Sequence, residues 1–150
     1  MHRFTLLAAV VSLISYGQFA TADEPKKPSA AEHATATPMI ACAKACGECA
    51  LACDMCAAYC ATMLAEGKRE HLKVMQTCQD CAAICGTAAC IMAKNGPFSD
   101  LICTACADAC KRCGDACEAM KDDAMMKKCA EECRKCETAC RAMLKTAPAK

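Results

Sequence analysis

Tryptophan is absent from this 150-residue chain, and aromatic residues make up only 3% of it. No run of alternating β-branched or aromatic residues occurs, which excludes a strand-built core. Beyond residue 22 the large aliphatics are reduced to Leu51, Leu64, Leu72, Leu101, Leu144, Ile40, Ile84, Ile91, Ile102 and Val74. A conventional leucine and isoleucine interior cannot be assembled from so few. Charge of one sign is missing as well, since the formal net charge is +1. With no basic patch and no interleaved aromatics, nucleic acid and anionic membrane are excluded as partners. Nor is there a nucleophile–base pair, a phosphate loop or a pair of acid–base carboxylates, so catalysis has no candidate centre and the chain does not read as an enzyme.

The first 22 residues carry Arg3, an apolar stretch from Phe4 to Ile14 and Ala20-Thr21-Ala22 before Asp23. They read as a secretory signal peptide of the general type, too short to span a membrane. No second apolar run of spanning length is expected. The mature chain would then be periplasmic or secreted, with no membrane contact after cleavage and about equal numbers of acidic and basic side chains. Residues 23–37 mix proline, alanine and charge without periodicity and read as a disordered leader. Thr37-Pro38 reads as an N-cap followed by proline at the first helical position.

What the chain has in abundance is cysteine, nineteen in all. Cys42, Cys46, Cys49, Cys53, Cys56 and Cys60 recur at steps of four and three, which lays them along one face of a helix. The same stripe recurs as Cys78, Cys81 and Cys85, as Cys103, Cys106, Cys110, Cys113 and Cys117, and as Cys129, Cys133, Cys136 and Cys140. Cys90 breaks the pattern, because a step of five rotates about 140° around the helix. Polar residues keep out of the stripes: Asp108, Lys111, Arg112, Asp115 and Glu118 fall between the cysteines of the third run. Four helices are expected over 38–65, 69–94, 99–121 and 122–145. Gly67 and Asn95-Gly96-Pro97 act as stops, Ser99 or Asp100 as one cap, and Asp122 or Asp123 as another. The fold class is all-α, an up-down-up-down four-helix bundle over residues 38–146 with a cysteine-lined core, ahead of a short tail at 147–150.

In an exported chain such cysteines first suggest disulfides. Bridges along one helix would be strained, and the odd count leaves a thiol over; a disulfide-stapled scaffold between helices stays open as an alternative. Inert thiols fill space poorly, so a core of them would be underpacked. A soft metal ion would fill and cross-link it. Sulfur donors select Cu(I), with zinc and iron–sulfur clusters as competitors. A rod of evenly spaced thiols offers no discrete four-sulfur cage for zinc or single cluster, but suits ions content with two or three sulfurs. All nineteen cysteines are candidate ligands for several Cu(I) ions. Extending the seams gathers Met63, His71, Met75, Met120, Met125 and Met126 at one end of the bundle. There they could pass copper inward by ligand exchange or simply plug the end.

The segments CAKACGECALACDMCAAYC, CQDCAAIC, CTACADACKRCGDAC and CAEECRKCETAC resemble the bacterial copper storage proteins over about residues 39–143. The resemblance implies a bundle filled with many Cu(I) ions on paired thiolates, often a homotetramer. It also implies an open end with histidine and methionine ligands. Met125 and Met126 stand where family members often carry histidines. A copper donor or acceptor protein is not identifiable from the sequence, and sequestered zinc remains an alternative cargo.

Overall fold

The computed structural model describes residues 30–146, with side chains from residue 38 onward. Its elements are α1 (Ala30–Ala65), α2 (His71–Ala93), α3 (Ser99–Glu118) and α4 (Ala124–Thr146). No strand occurs among the described residues. Each helix packs on two neighbours, α1 on α2 and α4, and α3 on α2 and α4, which closes a square around a single axis. The signal-peptide reading of residues 1–22, the 23–29 part of the leader and the tail at 147–150 lie outside the described residues.

Each of the three connections contains a positive-φ residue, Gly67, Asn95 and Asp122. Gly67 has φ of 88°. Its N–H donates to the Leu64 carbonyl at 3.0 Å and the Lys68 N–H to the Met63 carbonyl at 3.0 Å. That is the paired closure of a left-handed helix end, which glycine adopts without a Cβ penalty. Asn95, with φ of 50°, repeats it: its N–H reaches the Met92 carbonyl at 3.1 Å, and that of Gly96 reaches Ile91 at 3.0 Å. At the start of α4 the Asp123 carboxylate accepts from the N–H of Met125 at 2.9 Å and of Met126 at 3.2 Å. Both groups would otherwise be orphans of the first turn.

Three expectations need correcting. The first helix begins at Ala30, and Pro38 lies inside it. The alanine-rich stretch before Pro38 has high helix propensity, and proline there forfeits one backbone hydrogen bond without ending the helix. Ser99 does not cap α3; it is the first helical residue, and its hydroxyl donates to the Gly96 carbonyl at 2.6 Å. Finally, α1 from Pro38 to Ala65 is long and apolar enough to cross a membrane by length and composition, with a mean hydropathy of 1.3. Cysteine, alanine and methionine supply that apolarity. Its cysteine face is buried in the bundle, while Ile40, Leu51 and Met55 stand exposed on the outside.

The exterior of α3 and α4 is tied chiefly by the Arg134 guanidinium, with Arg141 reaching Asp108 at 3.4 Å further along. Arg134 donates to both carboxylate oxygens of Glu118 at 3.0 and 2.7 Å, to Asp115 at 2.6 Å and to the Lys111 carbonyl at 3.1 Å. It can lie this close because Gly114 stands beneath it; a Cβ there would sit 2.9 Å from Cζ. A forked, charge-assisted contact of this kind fixes the register of two helices more than it adds stability.

Candidate metal centre

Heptad spacing turns the thiols toward the axis, and eighteen of the nineteen cysteines are buried there. Cys90 alone is exposed and stands apart from the buried column of the other eighteen. Its seam position is taken instead by Ala88 and Met92, which are 0% and 1% exposed. With steps of three and four from Cys85, these two continue the stripe that Cys90 leaves. All nineteen cysteines are free thiols, which gives the disulfide-stapled scaffold no support.

The sulfurs form a continuous column. Near one end Cys42 Sγ lies 3.6 Å from both Cys103 and Cys140. Next, Cys46 is 3.7 Å from Cys106 and 3.6 Å from Cys140. Cys85 lies 3.6 Å from Cys106 and 3.4 Å from Cys110. Further along, Cys49 and Cys53 each lie 3.8 Å from Cys133. Cys78 approaches Cys113 at 3.7 Å, Cys117 at 3.9 Å and Cys129 at 4.0 Å. Within a single helix only Cys49–Cys53, at 4.0 Å, and Cys81–Cys85, at 3.8 Å, come as close among the described residues. Close approach of the sulfurs is therefore chiefly between helices.

Groups of four thiols do converge, contrary to the expectation of none. Cys46, Cys106, Cys136 and Cys140 form one, and Cys49, Cys53, Cys81 and Cys133 another, with all sulfurs within 4.8 Å of one another. The groups overlap: Cys53 and Cys133 also belong with Cys113 and Cys129, and Cys49 and Cys136 also belong with Cys85 and Cys110. Helix register, which no single stripe encodes, creates these groups. At a metal–sulfur distance of about 2.3 Å, neighbouring sulfurs sit about 3.8 Å apart around a tetrahedral ion and about 4.0 Å apart around a trigonal one. The closest separations, 3.4 to 4.0 Å, fall near both values, while whole groups of four spread over up to 4.8 Å. Because sulfurs are shared, ions held here would be bridged by common thiolates instead of standing in separate cages.

Protonation follows the same crowding. Hydrogen bonds from Cys117, with help from Cys133 and Cys53, bring the Cys113 thiol down to about 6. Burial, together with the charge of Cys56, pushes Cys60 up to about 12. Hydrogen bonds from Cys110 and Cys133 lower Cys49, while its neighbour Cys53 is raised by those of Cys113 and Cys129. One thiolate is stabilised by the S–H groups around it, and those groups keep their protons in turn. The column cannot ionise throughout unless cations enter as protons leave.

The end gathered around His71 is only partly as expected. Met126 is fully buried, and Cys56 donates to its Sδ at 3.5 Å. His71 is buried, with Nδ1 3.3 Å from the Lys68 carbonyl. A carbonyl can only accept, so Nδ1 is the donor in this contact and Nε2 is the nitrogen left over. That Nε2 is buried without a hydrogen-bond partner, 3.9 Å from an Asp123 oxygen. The same oxygen accepts from the Tyr59 hydroxyl at 2.8 Å. Met75, Met120 and Met125 are half-buried against the core. Met63 is turned aside: its Sδ accepts from the Lys68 ammonium at 3.3 Å in the exposed connection. Asp123 was legible only as a helix cap, and Tyr59, which donates to it, carried no spacing signal.

A square bundle whose interior is a shared column of free thiols defines a soft-metal-binding protein. The copper storage protein family profile matches residues 35–145, and the chain belongs to that family. A cytosolic copper storage protein from Streptomyces lividans, solved during copper loading, is 29% identical with a TM-score of 0.70; the match covers 77% of this chain and 98% of that one. The Cu(I)-bound copper storage protein BsCsp3 is 36% identical with a TM-score of 0.63, covering 69% and 95%. Over 76 residues, 49% of this chain and 70% of the relative, the chain is also 36% identical to the uncharacterized cysteine-rich protein YhjQ of Bacillus subtilis (strain 168). The expected periplasmic or secreted location is overturned, since the Streptomyces lividans relative is a cytosolic protein.

Proposed function

We propose that the chain stores Cu(I), taking many ions into the bundle on the buried core thiolates. The observation that carries this reading is the overlap of four-cysteine groups along one buried column. A soft monovalent cation fits it on three grounds. Thiolate sulfur prefers such ions, the sulfur spacings admit a three-coordinate ion, and each ion that replaces a proton leaves the interior near neutral. Proteins similar to this one are copper-loaded or Cu(I)-bound. The buried Nε2 of His71 and the sulfur of Met126 would be the first donors met at one end, with Met75, Met120 and Met125 beside them. Asp123 and Tyr59 hold that end in place. Nothing in the column resembles a catalytic pair, and the role is storage.

Titrating the reduced chain with Cu(I) against a competing chelator tests this. Uptake of many ions per chain is expected, with rising helical stability as they bind. Saturation at one or two ions would reject storage. Zinc is the second reading, favoured by the tetrahedral fit of the four-cysteine groups. Elemental analysis of the isolated protein separates the two cargoes.

A further inference from the structure

At the end of the bundle opposite His71 the thiol column meets methionines that the copper-column reading does not use. Cys103 donates to the Sδ of Met92 at 3.4 Å, as short as any sulfur contact in the column. The same Cys103 lies 3.6 Å from Cys42, which is 3.6 Å from Cys140. Met92 is 1% exposed, so its thioether is aimed into the interior, where any aliphatic side chain would have served for packing alone. One seam step beyond Cys140 stands Met143, 5% exposed. One step before Cys42 stands Met39, half-buried against the core. Thioethers thus continue the column outward from three helices.

We propose that this end holds a mixed thiolate–thioether site for a soft monovalent cation, with Cys103 and Met92 as its donors and Met143 and Met39 leading to solvent. It rests on the Cu(I) storage reading above. A thioether is neutral and gives up no proton on binding, so an ion held partly by Met92 is bound less tightly than one held by thiolates alone. The terminal ion is then the one exchanged most readily. This gives the column a second exchangeable end, remote from His71.

The test uses the full chain and its Met92→Leu/Met143→Leu variant, with leucine replacing methionine at nearly equal volume. Both are loaded with Cu(I) from a chelator complex, and bound copper is counted before the metal is drawn off with excess chelator. The variant should bind one ion fewer and lose the fastest release phase, with its helical circular dichroism unchanged. Wild-type capacity in the variant would overturn the proposal. Should the double variant lose helicity, Met92→Leu alone is judged by the same count. Failure of the storage reading is distinguishable, because the wild-type chain would then not take up several ions at all.

Discussion

Replacing Cys53 with alanine probes the shared-sulfur column where it is most connected. Cys53 is fully buried and lies 4.0 Å from Cys49, 3.9 Å from Cys113, 3.8 Å from Cys133 and 3.9 Å from Cys129. It belongs to two of the four-cysteine groups. In the apo protein the substitution removes one heavy atom from a packed site, a loss of about 1 kcal/mol by comparison with other single-group deletions in cores. The loaded protein should suffer more, because two groups lose a bridging ligand together and capacity should fall by about one to two ions. Exposed Cys90 supplies the control: Cys90→Ala should change neither apo stability nor capacity. Urea unfolding of the apo forms and chelator-competition titration of each variant read the two effects. Unchanged capacity in Cys53→Ala, or an equal loss in Cys90→Ala, would refute the argument from shared sulfurs.

Other expectations follow from the helix ends and the surface charges. Asp123→Ala removes the acceptor for two backbone N–H groups and for Tyr59, and should cost about 1 kcal/mol in thermal or urea unfolding of the apo protein. Gly67→Ala places a Cβ at φ of 88°, and should cost about 1 kcal/mol in the same assay with copper capacity unchanged. Hydrogen bonds from Lys111 and Arg134 lower the Asp115 carboxyl, and those of Arg134 lower Glu118. At Asp123 burial opposes ionisation, but the Tyr59 hydroxyl and two backbone N–H groups outweigh it and hold the carboxyl low. Their folded-state values lie below the unfolded ones. The stability they contribute is therefore present above the ordinary carboxylate range and is lost as pH falls through the depressed values. Apo melting temperature should drop on acidification below about pH 4, and high salt should blunt the part due to exposed Asp115 and Glu118.

The stripe of cysteines at steps of three and four made the bundle legible, because period alone decides which face turns inward. Gly67 and Asn95 were equally plain, since few residues accept a left-handed backbone. Pro38 misled, because a helix can run through proline when the residues before it favour helix strongly. The four-cysteine groups stayed hidden for a different reason. They depend on how far one helix slides along the next, and that register is set by contacts such as Arg134 over Gly114, which leave no periodic trace. Cys90 carried its own warning in its five-residue step. Met92, seven residues after Cys85, was legible as the continuation of that seam, and it is buried as the period requires.

Copper X-ray absorption on the reduced, fully loaded chain puts the central claim to its most direct test. Copper in the monovalent state with a nearest shell of sulfur at about 2.3 Å, and further copper atoms close by, is what thiolates shared along one column predict. A nearest shell dominated by oxygen or nitrogen would contradict it.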